Sequence, residues 1–172
     1  MTDHLKIINA ILEEKEYLKI LDLGSGKTSL GILLSKFPKS FIEGICYPGD
    51  NRKLDSIRQN CKGNYKLIEM DICKEQPKNY YDLVLCHLLL GEALKFGNKI
   101  EDMINGIFKI DTNKICIIDY LEDVDIDFKL VKTYAVKNGF KVKKEIIVKK
   151  DKEEIYPKFV GKNYIGIILE KI

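Results

Sequence analysis

The chain has 172 residues, 45% of them hydrophobic, a length and composition that suit one globular domain with a sizeable buried core. The formal charge of +3 is spread along the chain, and of its 29 basic residues only Arg52 and Arg58 are arginines, which argues against a nucleic-acid surface built from arginine forks. Five cysteines, odd in number and without a C-x-x-C pair, exclude a disulfide framework and a cysteine zinc site and point to a reducing, cytoplasmic home.

Residues 1–17 carry Glu13, Glu14 and Glu16 and no long apolar run, so they form neither a signal peptide nor a membrane span. The helical spacing of Leu5, Ile8, Ile11 and Leu12 predicts an opening amphipathic helix. A buried strand follows at 18–23, then a turn at Gly24-Ser25-Gly26 and a helix from about Thr28 to Lys36, closed by Phe37-Pro38. Residues 40–46 read as a second strand, a helix capped by Asp50 or Asn51 runs to about Cys61, and 66–70 is a short third strand. The run Asp82-Leu83-Val84-Leu85-Cys86 is apolar on both faces, which requires cover on both sides as in a parallel sheet. A helix at 100–110, a strand at 114–119 and a helix at 127–138 stopped by Gly139 come next. Two consecutive strands, 140–148 and 164–169, close the chain without a helix between them and are expected to be antiparallel neighbours joined by the charged loop at 149–154.

The segment Gly24-Ser25-Gly26-Lys27-Thr28 looks like the end of an ATP-binding P-loop, but that pattern needs a glycine where Leu21 stands. A leucine does not readily take the positive φ angles of a phosphate-cradling loop. A nicotinamide site fails similarly, because its G-x-G-x-x-G loop would need glycine at Ser29 and an acid near position 46. The glycines remain a cofactor loop at the end of a strand.

Alternating strands and helices, an acid and two glycines after the first strand, and a closing strand pair resemble the S-adenosylmethionine-dependent class I methyltransferases over 18–172. The resemblance implies a single-domain, Rossmann-like α/β fold: a mostly parallel seven-stranded sheet with an antiparallel last strand and helices on both faces. Leu21-Asp22-Leu23-Gly24-Ser25-Gly26 is similar to the family's first motif, with Asp22, Gly24, Ser25 and Gly26 at the cofactor and Thr28, a potential helix cap, where a third glycine is common. Asp71 matches the acid beside the adenine, with Ile72 offering its N–H and an apolar face. Tyr81-Asp82-Leu83-Val84-Leu85-Cys86 resembles the fourth-strand motif, which places Cys86 and His87 at the sheet edge near the reactive methyl.

One position departs from the pattern. Where the family's second strand ends in an acid that binds both ribose hydroxyls, this chain has Cys46, a poor hydrogen-bond partner, so Tyr47, Asp50 or water is expected to make the contact. By the same reasoning, Cys46→Asp is expected to tighten cofactor binding about tenfold. His87 is the expected general base, with Glu92, Asp119, Tyr120 and Glu122 as acceptor contacts. An Asn-Pro-Pro-aromatic segment for base amines and a Pro-Cys nucleophile for pyrimidine carbon are both absent. The apolar run His87-Leu88-Leu89-Leu90-Gly91 suits a small-molecule acceptor. The alternative is a catalytically silent scaffold that has lost the ribose acid. No metal is expected, and a homo-oligomer or partner subunit, the N-terminal helix or residues 149–161 are the candidates to lid the site.

Overall fold

The computed structural model of the chain describes residues 3–13, 15–91, 99–120, 128–148 and 163–172. In chain order these form α1 (Asp3–Ile11), β1 (Lys19–Leu23), α2 (Lys27–Lys36), β2 (Phe41–Cys46), α3 (Asn51–Asn60), β3 (Tyr65–Glu69), β4 (Leu83–His87), α4 (Ile100–Phe108), β5 (Lys114–Tyr120), α5 (Phe128–Lys137), β6 (Phe140–Val148) and β7 (Tyr164–Lys171). The seven strands make one sheet in the order β3-β2-β1-β4-β5-β7-β6. Only β7 runs against the others, pairing antiparallel with β5 and β6. The expected fold class is thus the observed one.

Alternate residues of the central strands leave the sheet on opposite faces and are buried on both. Leu21, Leu23, Val84 and Cys86 join the core beneath α4 and α5, with Ile104, Ile107 and Val131. Ile20, Leu83, Leu85 and Cys116 join the core beneath α1, α2 and α3, with Ile7, Leu30 and Ile57. The chain winds outward from β1 through β2 to β3, then returns to β4 and winds the other way, so the order reverses between β1 and β4. In open α/β sheets that reversal leaves a crevice at the carboxyl ends of the strands, where ligands bind. Asp82 fixes the other end of this central pair, its Oδ2 accepting from the Leu18 and Lys19 N–H groups at 2.9 and 2.8 Å.

Several local expectations shift. α2 starts at Lys27 with Gly26 as its N-cap, and Thr28 is exposed; the Gly26 N–H donates to Ser29 Oγ at 3.2 Å. Asp50 caps α3 by accepting from the Lys53 N–H at 3.2 Å. α1 stops at Ile11, and Ile7, Ile8 and Ile11 are fully buried, so it is a core element and not a lid. Gly139 takes φ of +77° immediately before β6, the left-handed geometry expected after a helix. The loop at 149–154 lies outside the described residues.

Candidate active site

Only residues 24–26 separate β1 from α2. Three residues cannot form a wide phosphate loop, and Lys27, which a P-loop would aim at phosphates, is an exposed first residue of the helix. Gly24 has φ of +68°, a left-handed conformation that a side chain disfavours. A Cβ there would lie 2.6 Å from Leu89 Cδ1, so the second reason for glycine is the leucine packed on it. At Gly26 a Cβ would meet only Lys53 Cε, at 3.6 Å. Of the two glycines, Gly26 has the face a ligand can approach.

Below the turn sits a buried polar knot. Asp22 Oδ2 accepts from the hydroxyls of Ser25 at 2.6 Å and Ser29 at 2.8 Å. Asp22 Oδ1 is buried with no hydrogen-bond partner. Burial pushes the Asp22 carboxyl up to about 6, against the two serine hydrogen bonds and the charge of Lys53, which pull it down. Since the folded carboxyl holds its proton more tightly than one of pKa 3.8, its contribution favours folding fully below pH 3.8 and is lost as pH rises through about 6. Ser25 also ties the turn to β2: its N–H donates to the Ile45 carbonyl at 2.8 Å, and its hydroxyl needs the space that Gly44 leaves, where a Cβ would stand 2.7 Å from Oγ. That strand glycine signals a close approach in the sequence.

Cys46 completes this wall. Its side chain is fully buried and Sγ donates to the Ser25 carbonyl at 3.6 Å, while burial raises the thiol to about 11. Burial sets a stability cost against the expected gain in binding from an aspartate here: a carboxylate would enter an apolar wall beside Asp22. Cys46→Asp is expected to lose about 2 kcal/mol of stability at neutral pH, from desolvation and like-charge repulsion, and to recover part of it below pH 6 as the carboxyls protonate. Thermal melts at pH 7 and pH 5 measure this; a variant that melts like the parent at pH 7 would show that the wall accepts the carboxylate, and its affinity for S-adenosylhomocysteine then tests the binding expectation.

Tyr47 is half-buried at the start of the loop after β2. Asp71 opens the turn after β3, with Oδ1 accepting from the Cys73 N–H at 3.1 Å and Oδ2 3.4 Å from Lys74 Nζ. Ile72 is buried behind it, its backbone pressed against α4: a Cβ on Gly106 would lie 2.2 Å from the Ile72 carbonyl oxygen. Cys86 points into the α4 side core, where burial drives its thiol well above the usual range, so its side chain is wall and not contact. His87 is the last residue of β4 and is mostly buried. Leu88 follows with φ of +57°, a strained geometry for a leucine that turns the chain over the crevice and lays Leu89 on Gly24. Asp119 is buried, accepting from the Gly91 N–H at 3.3 Å and the Tyr120 N–H at 2.9 Å, so it positions backbone; Tyr120 stacks on Tyr164 with centroids 4.8 Å apart. Glu92, Glu122 and the segment 149–161 lie outside the described residues. Among the described residues no group of three or more His, Cys, Asp and Glu could hold a metal, and no helix is long and apolar enough to cross a membrane.

The turn at 24–26, the end of β2, the turn at Asp71 and the end of β4 thus line one edge of the sheet around its reversal point. Lys53, Glu69 and Gly44 belong to this surround and were not singled out from sequence, and Leu89, expected beside the acceptor, packs on Gly24. Lys53 sits in the first turn of α3, where composition reads it as a solvated charge.

No family model matches the chain, and no curated protein sequence matches it. Solved structures do. A candidate RNA methyltransferase from Pyrococcus horikoshii superposes with a TM-score of 0.70 at 17% identity, covering 99% of this chain and 82% of that one. The M. jannaschii TYW2 protein in complex with AdoMet gives 0.66 at 17% identity, covering 99% and 75%. The mitomycin 7-O-methyltransferase MmcR gives 0.68 at 14% identity, covering 98% of this chain and 53% of that enzyme, about half its length. The chain has the class I, Rossmann-like methyltransferase fold.

Proposed function

We propose that the chain is an S-adenosylmethionine-dependent methyltransferase acting on a small-molecule acceptor in the cytoplasm. The observation that carries the reading is the glycine turn at the β1/β4 reversal point, with an open face at Gly26 and, beneath it, the buried and unpartnered Asp22 Oδ1. An open backbone face and an unsatisfied acceptor below it suit a ligand that needs close approach and brings a proton donor. Among structures of this fold, TYW2 was solved with AdoMet, one is described as a candidate RNA methyltransferase and another as a mitomycin 7-O-methyltransferase. The scarcity of arginine and the apolar run after His87 favour the small acceptor. Five free thiols favour a reducing compartment.

In this reading, Gly24, Ser25 and Gly26 hold the amino-acid end of the cofactor, Asp71 and Ile72 the adenine end, and Tyr47 stands beside the ribose. S-adenosylmethionine supplies an electrophilic methyl on a sulfonium, an excellent leaving group. The chain's own work is alignment and proton removal. His87, at the carboxyl end of β4, takes the proton of the acceptor nucleophile, and Leu88 to Leu90 shelter the acceptor from water. The alternative, a silent scaffold, is favoured by the missing carboxylate at Cys46.

Calorimetric titration with S-adenosylhomocysteine separates the two. A dissociation constant below about 1 mM supports the enzyme, and transfer of a labelled methyl group to phenols, amines or thiols establishes it; 1 mM corresponds to only about 4 kcal/mol, so a cofactor site should exceed it. No binding at millimolar ligand leaves the silent scaffold. Transfer to RNA and not to small molecules would overturn the acceptor class alone.

A further inference from the structure

We propose that Glu69, at the end of β3, supplies the ribose-binding carboxylate that position 46 lacks. The proposal rests on the methyltransferase reading for the identity of the ligand. Cys46 and Glu69 are register partners in neighbouring parallel strands, so their side chains leave the sheet on the same face. The carboxylate is missing from one strand end and present on the adjacent one.

Glu69 is also held where it is needed. Its Oε1 accepts from the Gly49 N–H at 3.0 Å, which brings the carboxylate over the loop at 47–50 that follows Cys46. Gly49 has φ of +84°, the left-handed geometry that lets this N–H turn toward β3. Burial is the main cause of the raised Cys46 thiol, with smaller upward contributions from the charges of Asp22, Asp50 and Glu69 against the downward pull of Lys53. Glu69 is exposed, whereas Cys46 is fully buried and spends its thiol on the Ser25 carbonyl.

The other described carboxylates on this edge hold structure: Asp50 caps α3 through one oxygen, Asp71 holds the Cys73 N–H and faces Lys74, and Asp22 is fully buried beneath the glycine turn, with one oxygen on its serines. A vicinal diol presents two O–H donors side by side, and a carboxylate has about four lone-pair positions on two oxygens. One bond to Gly49 fixes Glu69 without exhausting it. Bonds to an ionised acceptor are roughly twice as strong as neutral ones, which is the advantage over a tyrosine hydroxyl or water.

The test is a cycle of four titrations: parent and Glu69→Gln, each with S-adenosylhomocysteine and with its 2′,3′-dideoxy analogue. Glutamine keeps an oxygen for the Gly49 N–H and removes only the charge, and a thermal melt checks that the loop survives. The expected result is a loss of about tenfold to a hundredfold for the normal ligand in Glu69→Gln, a similar loss for the analogue in the parent, and no further loss when both changes are combined. Equal affinity of parent and variant for the normal ligand overturns the proposal, as does an equal loss for both ligands, which would assign Glu69 to the loop alone. A parent that binds the normal ligand no better than the analogue overturns it too. A parent that binds neither ligand overturns the cofactor reading itself, a result distinct from these.

Discussion

Gly106→Ala is expected to lower stability by about 2 kcal/mol although alanine is the better helix former. The added Cβ would stand 2.2 Å from the Ile72 carbonyl oxygen and 3.0 Å from its carbonyl carbon. Those atoms are backbone and cannot rotate aside, so either α4 or the turn at Asp71 must move. Overpacking of this kind costs about 1–3 kcal/mol and sometimes more, against at most about 1 kcal/mol gained from helix propensity; with no flexible atom to yield, the upper end applies. The net loss of about 2 kcal/mol corresponds, for a chain of this size, to roughly 4–8 °C in Tm. Gly31→Ala is the matched control, since a Cβ in that helix meets nothing within 4 Å and the change should stabilise by up to about 1 kcal/mol. If both variants melt alike, α4 and the Ile72 carbonyl are not in contact. Because the turn at Asp71 stands on this contact, Gly106→Ala should also weaken S-adenosylhomocysteine binding.

Gly26→Val should do the opposite, abolishing cofactor binding while leaving the fold nearly intact. Gly26 has φ of −136° and ψ of 168°, an extended geometry that valine adopts readily, and the space around its Cβ is open except for the end of Lys53. The structural cost is a poorer helix cap, about 1 kcal/mol. The functional cost is a branched side chain on the face a ligand must approach. Gly24→Val, by contrast, combines φ of +68° with a clash on Leu89 and should damage fold and binding together. Melting curves and calorimetry on the two variants distinguish a glycine kept for the ligand from one kept for the chain. Unchanged affinity in Gly26→Val would remove Gly26 from the site.

The architecture was legible because its signals are local. Leu83 to Cys86 is apolar at every position, which demands cover on two faces, and two strand patterns following one another in sequence, at 140–148 and 164–169, called for an antiparallel pair. The glycine turn was legible for the same reason. What the sequence hid lies in contacts between distant segments. Gly106 reads as a weak spot in a helix until Ile72 is seen against it, and Leu88 gives no hint of a positive φ, since nothing in its side chain prefers one. Cys46 was correctly aligned with a strand end, but whether its thiol faced ligand or wall depended on Ser25 and Gly44. Glu69 escaped notice because an exposed glutamate on an edge strand looks like any solvated charge.

The strand order also imposes a schedule on synthesis. Among the described residues β6 has β7 as its one strand neighbour, and the outer edge of β5 is covered by the same strand, yet β7 is the last of the three to be made. A nascent chain that has emerged only through β6 therefore presents the β5 edge and an unpartnered β6 together, two open templates for pairing with another chain. The lysines at 141, 143 and 144 put charge along β6, and charge on an open edge disfavours pairing with a foreign strand in that interval.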